Sequence, residues 1–315
     1  MNNKNAVLVL SNYDIAAGKK GAADGPIAVK DYLIKNGIDC SDCIILNNTY
    51  SSSDVQNVFK NAKYIDLVVE NSKNLERSVF SAINASKLPI ILSGDHGNAI
   101  GGLSGLKNAN PDKRIGVIWI DAHADLHTPY STPSGNIHGM PLAALAGIDN
   151  SIHGKNEISE NEIYYWNELK KLGVLDITPK FDLKDLVFIG IRDAEDEEWD
   201  LIENYGIKTY EPDDIRNFGI NSIIEKSIEH LKDCDLFYVS FDADSLDPSI
   251  STGTGTPSPD GLKIEEAEEL FNILLNHPKL GTFEITEVNP NLEQGGDEMA
   301  KIVSRLLAKA VSINQ

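Results

Sequence analysis

Basic residues are scarce in this chain: 28 lysines and arginines stand against 48 aspartates and glutamates, a formal net charge of −20 over 315 residues. Nucleic acid and anionic membrane surfaces are gripped by clustered Lys and Arg, so the deficit argues against both as partners and suits a small cationic molecule. Long hydrophobic runs are missing as well. Residues 1–5 lack the apolar stretch of a signal peptide, and no segment approaches the roughly 18 apolar residues of a membrane span, so a soluble, cytoplasmic protein is expected. Cysteine is rare: Cys40, Cys43 and Cys234 are too few and odd in number for a disulfide framework, which implies a reducing compartment. Cys40 and Cys43 form a C-x-x-C, but no second pair completes a zinc site, and ordinary reduced thiols are expected. No internal repeat, low-complexity tract or Pro/Gly/Ser linker parts the chain, so residues 1–315 are read as one domain.

What the chain does hold is a succession of short apolar segments, at 6–10, 64–69, 89–92, 115–120, 186–191, 236–241 and 281–288, each read as a buried strand. Helical spacing fills the intervals at 25–36, 75–86, 222–231 and 263–276. This alternation predicts a three-layer α/β/α fold around a mainly parallel sheet, in which ligands sit at the carboxyl ends of the strands. Residues 150–180 break the pattern and are read as a helical insertion, with a helix over 158–172, Ser159 as its cap and Glu162 at the capping-box spacing. Trp166 and Leu169 of that helix are expected either to pack inward or to lie near the site.

Three strands run directly into metal-ligating side chains: Ser93-Gly94-Asp95-His96, then Asp121-Ala122-His123-Ala124-Asp125, then Asp242-Ala243-Asp244. A lone aspartate at a strand end more often caps a turn, and a lone histidine more often makes an ordinary hydrogen bond. Six such groups clustered after three separate apolar runs, His96, Asp121, His123, Asp125, Asp242 and Asp244, argue for metal ligation instead. Four carboxylates with two neutral imidazoles carry about −4, which two divalent cations neutralise and one does not. The alternation with alanine is expected to turn the ligands to one side of an extended backbone while leaving room for the ions. Carboxylate and imidazole without thiolate suit Mn²⁺, with Co²⁺ and Fe²⁺ also acceptable. Water between two cations loses a proton near neutral pH and becomes a nucleophile, so the predicted chemistry is hydrolysis at an electron-poor carbon or phosphorus. The loops 127–141 and 247–261 that follow the second and third clusters contain no Lys or Arg for phosphoryl oxygens, which favours a cationic carbon centre.

In order along the chain, Gly21-Ala-Ala-Asp-Gly-Pro26, Gly94-Asp-His96, Asp121-Ala-His-Ala-Asp125, Ser240-Phe-Asp-Ala-Asp-Ser-Leu-Asp-Pro248, Thr254-Gly-Thr-Pro257 and Glu287-Val-Asn-Pro290 form a series. The series resembles the ureohydrolase family of manganese enzymes, which includes arginase, agmatinase, guanidinobutyrase and formimidoylglutamase, and it is most similar to the arginases. The resemblance implies an arginase-like α/β/α fold, two Mn²⁺ per subunit, a trimer or hexamer, and hydrolysis of L-arginine to L-ornithine and urea. It further implies that Asp121 and Asp242 bridge the metals, that His96 and Asp125 serve one ion, and that His123 and Asp244 serve the other. Asp125 would also accept the nucleophile's hydrogen bond, His138 would protonate the leaving amine, and Glu287 would pair with the guanidinium. Thr132, Ser134 and Asn136 fall on the substrate's carboxylate side, with His127, Glu195 and Thr256 completing the substrate contacts. The chain departs from the family pattern at His127, usually Asn, at Glu195, usually Asp, and in Ser93-Gly-Asp-His-Gly97, usually Gly-Gly-Asp-His-Ser. Those departures keep open other guanidino- or formimino-compound hydrolases, and a catalytically silent metal-binding homologue is a further alternative that His138 and Glu287 argue against.

Overall fold

Over residues 5–48, 55–293 and 296–312, those described by the computed structural model, eight parallel strands pair into one sheet. They are β1 (Asn5–Asn12), β2 (Cys43–Asn47), β3 (Lys87–Ser93), β4 (Ile115–Ile120), β5 (Leu186–Ile189), β6 (Lys208–Tyr210), β7 (Leu236–Asp242) and β8 (Leu280–Thr286), ordered β2-β1-β3-β8-β7-β4-β5-β6. The helices are α1 (Gly25–Lys35), α2 (Ile65–Asn84), α3 (Ala99–Ala109), α4 (Pro141–Ala146), α5 (Glu160–Lys170), α6 (Asp196–Tyr205), α7 (Pro212–Phe218), α8 (Ile220–His230), α9 (Ile264–Leu275) and α10 (Glu298–Ser312).

The central strands are apolar at nearly every position because both faces are covered, which is what a parallel sheet with crossover helices requires. Ile118, Ile120, Val239 and Phe241 pack with Val29 and Leu33 of α1, Ile223 of α8, Phe271 of α9 and Val303 of α10. Their neighbours Val117, Trp119, Phe188 and Tyr238 point the other way, onto Leu103 and Leu106 of α3 and Leu201 and Ile202 of α6. Alternate residues of one strand thus belong to opposite layers, and the three-layer α/β/α arrangement expected from the alternation is present. From β3 the chain passes over the places taken by β8 and β7 before entering the sheet again as β4. Such a switch in strand order opens a crevice at the carboxyl ends, here shared by β3, β8, β7 and β4.

The segment 64–69 is not the expected strand; it forms the first turn and a half of α2. Ile65, Val68 and Val69 recur at helical spacing with Ser72, Leu75, Glu76 and Val79, and these make one buried stripe against α3 and α5. A short β-branched run read alone hides that longer period. The short edge strands β2 and β6 carry half-polar sequences, Cys43-Ile-Ile-Leu-Asn47 and Lys208-Thr-Tyr210, and give little apolar signal. Cys40, Cys43 and Cys234 are free. No helix among the described residues is long and apolar enough to cross a membrane.

Helix α5 starts where the capping box placed it. Ser159 Oγ accepts from Glu162 N, and Glu162 Oε2 accepts from Ser159 N at 2.9 Å. Glu162 Oε1 also accepts from Asn61 N at 2.7 Å, which fastens the helix to the segment preceding α2, and Trp166 and Leu169 are buried. Ser159→Ala is expected to cost about 1 kcal/mol of stability, a loss of a few degrees in thermal unfolding, with turnover unaffected.

Candidate metal centre

β4 and β7 end in the same local device. His123 N donates to Asp121 Oδ1 at 2.8 Å, and Asp244 N donates to Asp242 Oδ1 at 2.7 Å, so each Asp-Ala-X triplet closes a turn on its own first carboxylate. The backbone is therefore not extended through the ligands, contrary to the alternation expected from the sequence. The short aspartate side chain satisfies the i+2 amide more readily than a strand partner can once the sheet has ended. Asp125 then takes a left-handed conformation, φ 52°, which swings its carboxylate back toward β3. Ala122 and Ala124 are wholly buried, and Ala122 O accepts from both Arg192 N and Asp193 N at 2.9 Å, joining the loop after β5 to the motif.

Two groups of donors result. At one pole His96 Nδ1 lies 3.1 Å from Asp121 Oδ2, 3.0 Å from Asp125 Oδ2 and 3.1 Å from Asp242 Oδ2. At the other, His123 Nδ1 lies 3.1 Å from Asp244 Oδ2 and 3.5 Å from Asp121 Oδ1. Asp121 thus gives one oxygen to each pole. Asp242 directs only Oδ2 into the space, its Oδ1 being held by the Asp244 amide. All six residues named from the sequence come together, and both trios, His96–Asp121–Asp242 and Asp121–His123–Asp244, have the spacing of a metal site.

Whether cations fit is decided by atoms left without a partner. His96 Nδ1 and Asp121 Oδ2 are fully buried and hydrogen-bonded to nothing among the described residues, although they face each other and two further carboxylates. Burial pushes the carboxyls of Asp125, Asp242 and Asp244 above their usual range, and neighbouring aspartates add to the effect. Burial also opposes charge on His96, but Asp121, Asp125 and Asp242 outweigh it and lift its pKa well above the ordinary value. The site thus draws positive charge from whatever source is present. Divalent cations supply that charge with the donor chemistry the six residues offer, so the residues fit a binuclear centre.

The ring of His96 is fixed from behind. Its Nε2 is 2.8 Å from Ser240 Oγ, which donates to Glu284 Oε2 at 3.1 Å, and Trp119 stacks on the ring with centroids 4.0 Å apart. Glu284, fully buried on β8, also accepts from Ser93 Oγ at 2.5 Å and Tyr238 OH at 2.7 Å. Ser93 was noted in the sequence only as a departure from the family pattern and Ser240 only as part of a motif, while Trp119, Tyr238 and Glu284 were not singled out. A glutamate inside an otherwise apolar strand was the available signal, since buried carboxylates occur only where they are fully hydrogen-bonded.

Glu287 follows β8 in a left-handed conformation, φ 60°, and its Oε1 accepts from His96 N at 3.0 Å and contacts His138 Nδ1 at 3.1 Å. His138 sits in a 3-10 turn, Ile137–Gly139, after the loop that follows the second cluster. Burial works against its charge, yet Glu287 and then Asp125 and Asp95 raise its pKa, so the imidazolium persists above the usual pH. Burial likewise opposes ionisation of Glu287, and His138 overcomes it and holds the carboxylate charged.

The substrate-side candidates divide. Thr132 Oγ1 accepts from Ser134 N and Gly135 N, and Ser134 Oγ accepts from Asn136 N, so these hydroxyls shape their own loop while their hydrogens can still be donated outward. Thr256 Oγ1 donates to Asp244 Oδ2 at 2.9 Å and so holds a candidate ligand. His127 and Glu195 touch one another directly through Nε2 and Oε2. Glu198, also missed in the sequence, stands 3.5 Å from the same nitrogen, its carboxyl raised by burial to about 7. The loops 127–141 and 247–261 carry no basic residue of their own, but Arg192 reaches in from the β5 loop and donates to Asp244 O, Ser258 O and Pro259 O.

Comparison with known proteins points to one family. The family model described as Arginase family matches residues 4–312. The arginase of Brevibacillus brevis is 33% identical over 302 residues, covering 93% of this chain and 93% of that protein. Among solved structures, arginase from Bacillus subtilis subsp. subtilis str. 168 superposes with a TM-score of 0.82 at 30% identity, over 98% of each chain. Entamoeba histolytica arginase in complex with L-ornithine superposes with a TM-score of 0.81 at 25% identity, over 98% of this chain and 97% of that one.

Proposed function

Because the chain belongs to the arginase family, whose homologues are metal-dependent hydrolases of guanidino compounds, we propose that it converts L-arginine to L-ornithine and urea. The observation that carries this reading is the His138–Glu287 pair, a proton donor and a carboxylate 3.1 Å apart directly beside the six clustered ligand candidates. Two divalent cations, Mn²⁺ by this donor set with Co²⁺ or Fe²⁺ as alternatives, would lower the pKa of water enough to make a nucleophile available near neutral pH. His96 and Asp125 would hold one ion and His123 and Asp244 the other, with Asp121 and Asp242 between them.

Everything else falls to the chain's own groups. Glu287, ionised and buried, pairs with the planar guanidinium and fixes its carbon in front of the metal pair; Glu287 Oε2 lies beside Gly255. Asp125 accepts the hydrogen bond of the attacking oxygen and aligns it. His138 gives its proton to the departing nitrogen, so that ornithine leaves as an amine rather than an amide anion. Thr132, Ser134 and Asn136 donate to the α-carboxylate.

The His127–Glu195 contact supports one further reading, hydrolysis of another guanidino compound, because each group occupies the other where an amino acid's charges would be received. Urea or formamide release from the Mn²⁺-loaded protein, measured with arginine, agmatine, guanidinobutyrate, guanidine and formimidoylglutamate, decides among the readings. The highest kcat/KM is expected with arginine. A better result with another compound establishes the second reading, and no turnover despite two bound metals marks a silent binder.

A further inference from the structure

One buried carboxylate has no part in the chemistry above. Asp95 follows β3, next to His96, and is 2% exposed. Its Oδ2 accepts from two consecutive amides, Ala16 N at 2.7 Å and Ala17 N at 3.0 Å, on the segment 13–20 that follows β1. Its own amide donates to Tyr13 O at 3.0 Å, and Asn98 Nδ2 donates both to Tyr13 O at 3.0 Å and to Asp95 Oδ1 at 3.2 Å. The segment is thus clamped onto the end of β3, and hydrogen bonds to an ionised acceptor are roughly twice as strong as neutral ones.

What the clamped segment carries is the backbone of the proton donor. His138 N donates to Ala16 O at 3.3 Å. The peptide joining Ala16 to Ala17 therefore gives its N–H to Asp95 and receives the N–H of His138, a two-bond line in which each bond polarises the next. Gly97 permits the approach. A Cβ there would stand 2.8 Å from Ala16 Cβ and 3.9 Å from His138 Cα, so Ala16 comes this close because residue 97 is glycine, and the departure from the family's usual serine has a physical reason. The same segment braces both loops that flank the metal centre. Lys19 Nζ donates to Gly255 O at 2.5 Å, and a Cβ on Gly18 would stand 2.7 Å from Asn136 Nδ2, whose amide oxygen accepts from Lys63 Nζ at 3.1 Å. Lys20 Nζ folds the segment on itself through the carbonyls of Asp14, Ile15 and Ala17.

We propose that Asp95 is a positioning residue for the proton donor: through the Ala16–Ala17 peptide it sets where His138 stands, and so how fast the leaving nitrogen is protonated, without itself touching substrate or metal. The proposal rests on the hydrolase reading above and adds the support on which His138 depends. Glu287 holds the ring of His138 and the clamped segment holds its backbone, so the imidazole is fixed at both ends. Transfer of a proton is sensitive to such placement, and an error of about 1 Å costs on the order of a hundredfold in rate.

The test compares the Mn²⁺-loaded wild type with Asp95→Ala, Asp95→Asn, Gly97→Ser, His138→Asn and the Asp95→Ala/His138→Asn double variant. For each, kcat and KM are measured with the best substrate of the panel above, together with metal content and hydrogen exchange at the amides of Ala17 and His138. Asp95→Ala is expected to lower kcat about a hundredfold while KM and both metals are kept, and to speed exchange at the two amides about tenfold. Asp95→Asn still offers one oxygen to both amides and should recover most of kcat. Gly97→Ser should push Ala16 aside and lower kcat about tenfold, which decides the matter even where Asp95→Ala fails to fold. In the His138→Asn background, Asp95→Ala should cost less than about threefold, because the group it places is already gone. Losses that multiply in the double variant overturn the proposal, as does a fall in metal content that matches the fall in kcat, or an unchanged kcat with unchanged exchange at His138. If the wild type releases urea or formamide from no compound, the hydrolase reading fails, and exchange at His138 in Asp95→Ala still judges the clamp by itself.

Discussion

Asp121→Ala is expected to strip the protein of metal at both poles at once and to lower turnover about a thousandfold or more. Among the described residues Asp121 is the one carboxylate whose two oxygens face different imidazoles, Oδ2 toward His96 and Oδ1 toward His123. It also accepts the His123 amide, so the turn that aims His123 depends on it. Its loss leaves His96 with Asp125 and Asp242, and His123 with Asp244 and a share of the single Asp242 oxygen directed into the site, which gives too few donors for tight binding at the second pole. Elemental analysis after gel filtration should find fewer than one ion per chain, against two in wild type. Asp121→Asn preserves the Asx turn through its amide oxygen and should retain the fold while still losing metal, which separates ligation from local structure. Two tightly held ions in either variant would remove Asp121 from the centre of the site.

The sequence made much of this legible because the ligands lie at the ends of strands whose burial on both faces leaves an unmistakable apolar run. Ile115–Ile120 and the segment ending at Asp242 were found nearly to the residue for that reason. Family resemblance then supplied roles for His138 and Glu287, which as single residues in loops carry no periodic signal. The edge strands β2 and β6 escaped because an edge needs little apolar character, and 64–69 misled because six residues are too few to separate a helical period from a strand. The groups behind and around the ligands were harder still. Ser240 and Glu284 are joined to His96 only through pairing of β7 with β8, and Lys19 and Lys63 reach their loops across 236 and 73 residues. Contacts of that separation depend on the topology of the sheet, and no local spacing encodes them.

His138→Asn should leave two metals in place and lower kcat about a hundred- to ten-thousandfold, the usual worth of a positioned proton donor. Asparagine can still donate an amide hydrogen to Glu287, so the contact now made by Nδ1 at 3.1 Å has a replacement, and the ligand candidates themselves are untouched. What the amide lacks is a proton it can release to the leaving nitrogen. The pH dependence carries the sign of the wild-type shift. Burial alone would depress the His138 pKa, but Glu287 raises it, so the donor form is complete below that raised value and is lost as pH climbs through it. Wild-type kcat should therefore contain an alkaline limb that His138→Asn lacks, and added imidazole should recover part of the lost rate at pH values where it is protonated. If kcat in the variant stays within threefold of wild type at neutral pH, with the alkaline limb intact, the proton comes from another group and His138 only orients Glu287.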